Sequence, residues 1–210
     1  MTEWKGAIAS AKETVQYKKG QPIFREGEEV LGIHFIYSGA VKVHQSWGGD
    51  KELILRFAGP GDVVGHRGQG GRPVYPISAT ALEQTSTCFI SNKFLEATLK
   101  TNPSFLYRMM QLYAEELQKA EKRMRNLALM EVKGRIAEAL LTIQETFWLD
   151  EEGYIRVAVT RQDIASYAGT TYETVFKLFT EWSNTGLIGT AGKSIRVNDS
   201  KLMRSFIQHP

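Results

Sequence analysis

Three polar side chains occur close together in the stretch VTRQDIASYAGTTYETVFKLFTEWSNTGLI, which runs from Val159 to Ile188. They are Tyr172, Glu173 and Lys177, and the helical spacing of the segment turns them outward near the start of a helix. A carboxylate can accept a hydrogen bond from a cytosine amino group, and a lysine can donate to a guanine or a phosphate. A helix N-terminus also directs amide N–H groups and positive potential toward phosphate. The segment therefore predicts contact with nucleic acid, with these three side chains reading base edges.

Two short helical patterns must position these side chains, and a helix-turn-helix that begins at Arg161 accounts for their spacing. The residues predicted to lie on the inner faces of the two helices are Ile164, Ala168, Val175 and Leu178. Gly169 falls at the turn, where a left-handed backbone is low in energy only for glycine. Thr170 or Thr171 can cap the second helix, and Glu173 follows Thr170 at capping-box spacing. A helical hairpin without nucleic-acid contacts is the alternative, with Glu173 as a capping carboxylate alone.

Strand patterns on each side complete the motif. The run IRVAV leads into the first helix as a predicted strand, and the sequences GLIG and AGKSIRV after the second helix predict a β-hairpin. The tip of this hairpin lies at Ala191-Gly192-Lys193, and the hairpin would place Lys193 and Arg196 on a DNA backbone. The residues from Tyr154 onward contain seven basic and four acidic side chains, which accounts for the whole net charge of +3. This excess favours a polyanionic partner, with scattered surface charge as the alternative.

Composition excludes several classes of protein. Hydrophobic residues make up 42% and charged residues 23% of the 210 positions, as in ordinary folded domains. No apolar run approaches the roughly 18 residues of a membrane span, and the N-terminus lacks the apolar core of a signal peptide, so we expect a cytoplasmic protein. The one cysteine, Cys88, excludes an internal disulfide, and its setting, TSTCFIS, favours a buried thiol over a redox switch. Without a catalytic serine or cysteine setting, a phosphate loop or a metal constellation, an enzyme is not expected.

The N-terminal half has the spacing of β-structure. Between residues 18 and 91, runs such as IHFIYSGAVKVHQ and KELILRF alternate apolar and polar residues. Turn signals separate these runs, among them Ser38-Gly39, Gly48-Gly49-Asp50 and Gly59-Pro60-Gly61-Asp62. Short strands at this spacing predict a small antiparallel barrel or roll.

A long helix is predicted to start at Pro103, because a first-turn residue does not need the N–H that proline lacks. Apolar residues spaced alternately four and three apart then run along one side of it: Leu106, Met110, Tyr113, Leu117, Ala120, Met124 and Leu127. This heptad seam suits a partner helix of the same kind and favours a homodimer, whereas packing on its own barrel is the alternative. After a break near Met130, a second helix is predicted from Val132 to Phe147, followed by a turn at LDEEG.

This order of parts resembles the CRP/FNR family of bacterial transcription regulators over nearly the whole chain. The stretches FREGE, IYSGAVKV and FAGPGDVVG look like the turns of its β-roll, and NLALMEVKGRIAEALL looks like the junction before its DNA-binding domain. The resemblance implies an α+β fold: an antiparallel β-roll of the double-stranded β-helix or jelly-roll type over 1–102, a dimerisation helix over 103–130, and a winged helix-turn-helix over 131–210. The implied partners are double-stranded DNA, a second copy of the chain and RNA polymerase.

The recognition helix departs from the family pattern at two places. In the family it usually begins Ser-Arg-Glu-Thr-Val with an arginine two residues later, whereas this chain has Tyr172 and Lys177 at the arginine places and keeps Glu173. Tyrosine cannot make a bidentate contact to guanine, so we expect a half-site that differs from the usual family sequence. The positions that match the family's phosphate contacts are Arg161, Thr171, Thr174 and Lys193.

The sensor pocket departs further from the family members that bind cyclic nucleotides. Their Gly-Glu pair, whose carboxylate takes the ribose hydroxyl, is replaced by Gly65-His66, and their Arg-Ser or Arg-Thr pair, whose arginine takes the phosphate, is replaced by Tyr75-Pro76. Ala120-Glu121 replaces the polar pair that contacts the purine. A phosphate without an ionic partner binds poorly in a partly dry pocket, so cyclic AMP held in the usual way is not expected. Arg67 or Arg72 could nevertheless reach in from the loop.

No metal or cofactor is predicted, and the effector is left open. The iron–sulfur members of the family need several cysteines, and a haem needs axial ligands, for which the spacing of His34, His44 and His66 singles out no pair. Two functions follow from the sequence. The chain is either a homodimeric DNA-binding regulator that senses an unknown small molecule, or a ligand-binding module that acts on a protein partner through its winged helix.

Overall fold

The computed structural model of the chain describes residues 13–48 and 51–207. Part of the N-terminal stretch considered for a signal peptide lies outside these residues, as do Gly49 and Asp50 of a predicted turn. The described residues form two compact units. One contains the residues up to Val43 together with Ala58–Ala120, and the other contains His44–Phe57 and the residues from Glu121 onward. No helix in the described ranges is long and apolar enough to cross a membrane.

Short strands dominate the N-terminal half, as predicted. They are β1 (Glu13–Tyr17), β2 (Pro22–Phe24), β3 (Gly32–Ser38), β4 (Val41–Ser46), β5 (Glu52–Ala58), β6 (Val63–Val64), β7 (Ser78–Ala81) and β8 (Thr85–Ser91). Two four-stranded sheets result, with the strand orders β1-β8-β3-β6 and β2-β7-β4-β5. Strand β8 pairs antiparallel with both β1 and β3, and β2 pairs antiparallel with β7. A short 3-10 helix, His66–Gln69, follows β6. The predicted antiparallel roll is confirmed.

Helices make up most of the C-terminal half. They are α1 (Asn92–Thr101), α2 (Pro103–Leu129), α3 (Val132–Phe147), α4 (Arg161–Ala168), α5 (Tyr172–Asn184) and α6 (Ser200–Ser205), with the hairpin β9 (Ile188–Ala191) and β10 (Ser194–Val197) after α5. The predicted start at Pro103, the break near Met130 and the bounds of α3 are confirmed. Helices α1 and α6 were not predicted, although each has a polar cap: the side chains of Ser91 and Asp199 accept backbone N–H groups there.

The predicted strand IRVAV is wrong. Ile155 forms a single antiparallel bridge with Leu149, and the Val159 N–H donates to the Val157 carbonyl, which bends the backbone. Ile155, Val157 and Val159 are nevertheless all buried. The Ile155 N–H also donates to the Ile195 carbonyl of β10 at 2.9 Å, but this contact does not extend into a strand pair. The alternation in this run therefore records one buried side of an irregular connection.

Each unit has its own apolar core. In the first unit, Ile33, Val63, Ile90 and Leu95 form a buried cluster, and Cys88 packs half-buried against it. In the second unit, the largest fully buried side chains include Phe179 and Trp182 of α5. The same unit contains Phe57 of β5, whose ring lies 5.2 Å from that of Tyr167, centroid to centroid.

His34 on β3 is a buried titratable group, and we expect it to make the stability of the first unit pH-dependent. Its Nδ1 atom lies 3.2 Å from the Thr87 hydroxyl, and its ring centroid lies 4.9 Å from that of Phe89. Burial lowers the pKa of His34 to about 4. The unfolded chain takes up this proton near pH 6.5, so the folded state loses stability as pH falls from about 6.5 to 4. The expected loss is about 3 kcal/mol.

Urea unfolding of the wild type and of His34→Gln at several pH values between 7 and 4 isolates this contribution. The two proteins should differ in the slope of unfolding free energy against pH below 6.5, with the steeper fall in the wild type. Parallel slopes would show that His34 does not supply the pH dependence.

Candidate nucleic-acid interface and sensor pocket

The first helix of the helix-turn-helix, α4, begins with a capping box, which the sequence interpretation had placed at the second helix. Thr160 is the N-cap: its hydroxyl accepts from the Asp163 N–H at 3.0 Å, and the Asp163 carboxylate accepts from the Thr160 N–H at 3.2 Å. Both N–H groups would otherwise have no partner within the helix. These bonds fix the start of α4 at Arg161, as predicted.

The turn of the motif requires glycine. Gly169 follows α4 with φ 60° and ψ 47°, a left-handed conformation, and its N–H donates to the Ala165 carbonyl. A Cβ atom at this position would lie 2.9 Å from the Leu127 Cδ2 atom, closer than side-chain carbons normally approach. The predicted inner faces are confirmed, because the four residues assigned to them are buried or half-buried: Ile164, Ala168, Val175 and Leu178.

Thr171, and not Thr170, caps the second helix, α5. Its hydroxyl accepts from the Thr174 N–H at 3.3 Å and lies 3.1 Å from the Thr174 hydroxyl. Glu173 is therefore the second residue of the helix, one place short of the capping-box position. Hydrogen bonds from its own N–H and from the Thr171 hydroxyl lower the pKa of Glu173, so the exposed carboxylate is a charged acceptor at neutral pH.

The three predicted base-reading residues share the exposed side of α5. Tyr172, Glu173 and Lys177 are all exposed, whereas Val175 and Phe179 of the same helix are buried. The sequence interpretation overlooked a further exposed residue on this side, the phenylalanine at position 176. Its signal was its place one helical turn after Tyr172, out of step with the buried apolar residues.

The predicted phosphate-contacting residues differ in their surroundings. Thr171 and Thr174 form the cap of α5 described above. Lys193 is exposed in the turn between β9 and β10, which confirms the predicted hairpin tip. Arg161 is half-buried at the start of α4, and its guanidinium carbon lies 5.5 Å from the centre of the Phe179 ring.

Arg196 has partners within its own unit that the sequence did not reveal. Its Nε donates to the Asn198 side chain at 2.8 Å, and its Nη1 donates to the Glu152 carbonyl at 3.2 Å. The guanidinium carbon also lies 5.0 Å from the centre of the Tyr154 ring. These contacts join β10 to the turn that precedes Ile155, so Arg196 supports the base of the hairpin.

In the first unit, a buried carboxylate contacts the 3-10 helix of the predicted effector pocket. Glu116 of α2 accepts a hydrogen bond from Arg67 Nη2 at 3.2 Å, and the same oxygen lies 4.0 Å from His66 Nε2. Its other oxygen lies 3.6 Å from Lys119 Nζ. The Tyr113 hydroxyl donates to the His66 carbonyl at 2.8 Å. We call Glu116 with His66, Arg67 and Lys119 the Glu116 cluster.

Sequence reasoning missed Glu116, although it lies three residues after Tyr113 and thus on the same side of α2. The other predicted pocket residues are arranged differently. Gly65 has φ 87° and precedes the 3-10 helix, while Tyr75 is buried and donates to the Gly32 carbonyl at 2.9 Å. Three predicted pocket residues are exposed: Arg72, Ala120 and Glu121.

The histidines have separate neighbours. His34 lies beside Thr87, and His44 Nδ1 lies 2.8 Å from the Glu52 carboxylate, whereas His66 belongs to the Glu116 cluster. Within residues 13–48 and 51–207, no group of three or more His, Cys, Asp or Glu side chains is placed to hold a metal ion.

The apolar seam predicted on α2 is largely exposed on the single chain. The seam residues with at least two-fifths of their surface exposed are Leu106, Met110, Tyr113, Leu117 and Met124. Ala120 is also exposed, and Leu127 is half-buried.

Two family models match the two functional halves of the chain. The model of the cyclic nucleotide-binding domain matches residues 14–102, and the model of the Crp-like helix-turn-helix domain matches residues 134–206. The combination of a β-roll of the sensor type with a winged helix-turn-helix defines a DNA-binding transcription regulator.

Known relatives identify the family. The transcriptional activator protein anr of Pseudomonas aeruginosa is 32% identical over 187 residues, which cover 87% of this chain and 75% of that protein. A CRP-like cAMP-activated global transcriptional regulator of Mycobacterium tuberculosis is 26% identical over 197 residues, which cover 93% of this chain and 88% of that protein. The structure of FixK2 from Bradyrhizobium japonicum superposes with a TM-score of 0.84 at 24% identity, covering 95% of this chain and 98% of that one. The chain belongs to the CRP/FNR family, and it is a regulator and not an enzyme, as the sequence predicted.

Proposed function

We propose that two copies of the chain pair along the apolar seam of α2 and read a two-fold symmetric DNA site with their two α5 helices. The observation that carries this proposal is the exposed side of α5, where the charged carboxylate of Glu173 lies beside Tyr172 and Lys177 at the capped end of the helix. Such a helix end enters the major groove in helix-turn-helix proteins. The exposed Lys193 of the hairpin supplies a cation for the flanking phosphates.

Pairing along α2 is supported by the exposed seam. Large apolar side chains repeat on one side of the helix. Because contact of such a patch with water is unfavourable, it marks a surface that another protein surface covers. A dimer would present two α5 helices to adjacent turns of the duplex, which requires half-sites about 10 base pairs apart.

The proposal is tested by selecting duplexes from a random pool with the full-length protein, with and without candidate nucleotides. We expect enriched sequences to contain inverted half-sites, bound with an affinity that falls as salt rises. Enrichment of no sequence, together with loss of all duplex binding at physiological salt, would favour the regulation of a protein partner instead.

Glu173→Ala should relax base preference at one position in each half-site. The lost acceptor is expected to reduce discrimination there by about 1–3 kcal/mol, while preference at other positions remains. Repeating the selection with this variant measures the effect. Glu115→Ala is the control, because it makes the same charge change on the exposed surface of α2 and should leave the base preference unchanged. Unchanged selectivity would assign Glu173 to capping alone.

We also propose that the sensor domain does not hold a cyclic nucleotide through the usual charged pair. Arg67, one of the two loop arginines that could take a phosphate, is already bound to Glu116, and the other, Arg72, is exposed. At the position of the usual carboxylate, the sequence places the buried ring of His66. A nucleotide phosphate would have to displace the Glu116 carboxylate, which is itself an anion held by cations.

Calorimetric titration of the full-length protein with cyclic AMP tests this part of the proposal. We expect no saturable heat up to about 1 mM, which corresponds to binding weaker than about −4 kcal/mol. Saturable binding at micromolar concentration that is lost in Arg67→Ala would overturn this part of the proposal, because it would show that Arg67 leaves Glu116 to bind the phosphate.

RNA polymerase is a further proposed partner. The Pseudomonas relative is named a transcriptional activator, and an activator must communicate with the transcribing enzyme. This contact is tested by measuring how much purified polymerase is retained on a promoter-length duplex that carries the selected site and the bound regulator. The same duplex without the regulator is the control.

A further inference from the structure

Helix α5 carries apolar side chains on two different sides. One side packs into the core of the second unit through Val175, Phe179 and Trp182, all of them buried. The other carries Tyr172 and Phe176, which are 42% and 52% exposed. Their rings lie 6.3 Å apart, centroid to centroid, at an interplanar angle of 23°. The solvent side of a surface helix is normally polar, so this stacked pair is unexplained by packing of the chain itself.

The position of the pair relates it to the polar residues of the proposed interface. Successive helical residues are about 100° apart, so Tyr172 and Phe176 form one row along α5, and Glu173 and Lys177 form a second row beside it. The exposed side of the helix thus presents an apolar row and a charged row, each one turn long.

The chemistry of the major groove contains a counterpart for each row. Base edges offer hydrogen-bonding groups to a carboxylate and an ammonium, and thymine alone adds an apolar group, its C5-methyl. Phe176 has no polar atom, so it can contact neither a phosphate nor a base edge by hydrogen bonding. The exposed ammonium groups of Lys177 on this side of α5 and of Lys193 in the hairpin of the same unit favour the polyanionic duplex as the occupant over an uncharged apolar partner.

We propose that the Tyr172–Phe176 pair is a thymine-reading surface that packs against the C5-methyl group of at least one thymine in each half-site. Phe176 thereby becomes a specificity-determining residue. This inference rests on the proposed function, because it requires α5 to lie in the major groove. It gives a chemical reason for tyrosine at a place where the family usually has arginine: the contact to guanine is exchanged for an apolar contact.

Replacing thymine by deoxyuridine removes only the methyl group and tests the inference directly. The full-length protein is titrated against a selected duplex in which each thymine is replaced in turn, in both half-sites together, and binding is followed by fluorescence anisotropy. Burial of one methyl is worth about 0.8 kcal/mol, or roughly a fourfold change in affinity. We expect roughly a 16-fold loss for the symmetric double replacement at one thymine position. In Phe176→Ala, which keeps only Tyr172 of the pair, the loss at that position should be clearly smaller.

Two controls separate readout from folding. Phe176→Leu keeps an apolar contact and should retain part of the uracil effect, whereas Leu202→Ala truncates an exposed apolar residue of α6 and should leave the effect unchanged. If no uracil position weakens the wild type, or if Phe176→Ala shows the same loss as the wild type, the inference is overturned and the proposed function stands. If the wild type binds no duplex selectively, both are overturned.

Discussion

Leu117→Asp is expected to abolish the proposed pairing along α2 and to leave the chain monomeric. Leu117 lies in the middle of the α2 seam and is 60% exposed on the single chain, so the variant leaves the fold of the chain unaffected. In the paired state, the new carboxylate would face a second apolar helix and its own symmetry mate, where an unpaired charge is strongly unfavourable. A monomer engages one half-site at a time and loses the gain from linked binding, about 10²–10⁴-fold in affinity. Light scattering gives the mass, and anisotropy with a selected duplex gives the affinity.

The neighbouring position supplies the matched control. Gln118 is exposed on α2 but lies outside the heptad seam, so Gln118→Asp adds the same charge to the same helix without placing it in the contact. We expect this variant to remain dimeric and to bind the duplex as the wild type does. A dimeric mass for Leu117→Asp would show that the subunits meet elsewhere, and the interface would have to be sought on another surface.

The elements of the fold were predictable where the signal is local. The placement of Pro103 indicated the start of α2, and the break near Met130 and the turn at LDEEG indicated the two ends of α3. Gly169 indicated the turn of the helix-turn-helix, because the left-handed conformation that this turn requires is low in energy only for glycine. The exposed side of α5 followed from helical periodicity once that turn was placed.

Features that depend on contacts distant in sequence were not predictable. Glu116 and Arg67 are 49 residues apart, and nothing in either local sequence indicates that they meet. Phe176 was overlooked because an apolar residue on a helix is normally assigned to the core, although its place one turn after Tyr172 put it on the exposed side of α5. The run IRVAV misled for the converse reason: burial produced the alternation, but pairing with a neighbouring strand depends on the rest of the chain.

The junction between α2 and the helix-turn-helix depends on an arginine that sequence reasoning did not select. Arg135 of α3 donates to four backbone carbonyls: Leu127, Met130, Ala168 and Gly169. Leu127 and Met130 lie in and just after the last turn of α2, and Ala168 and Gly169 lie at the end of α4 and in the turn before α5, where helical carbonyls lack partners. Arg123 assists, because it donates to the Tyr167 carbonyl, with its guanidinium carbon 3.7 Å from the centre of the Tyr167 ring. Arg135 thus sets the position of α5 relative to the end of α2.

Arg135→Ala is therefore expected to destabilise the second unit by about 2–4 kcal/mol, because charged hydrogen bonds are lost and half-buried carbonyls are left without a donor. Urea unfolding measures this loss. Selective DNA affinity should fall as well, since the recognition helix loses its support, and low temperature keeps the variant folded for that assay.

Two further variants separate the geometry of Arg135 from its charge. Arg135→Lys keeps the charge but cannot reach carbonyls on two elements at once, so we expect it to recover less than half of the lost stability. Arg156→Ala removes an exposed arginine of the same unit and should change the unfolding free energy by less than about 0.5 kcal/mol. If Arg135→Ala and Arg156→Ala have the same free energy of unfolding, the four hydrogen bonds do not stabilise the junction. Full recovery in Arg135→Lys would instead assign the effect to charge, and the turn before α5 would have to be positioned by the packing of Leu127 against Gly169.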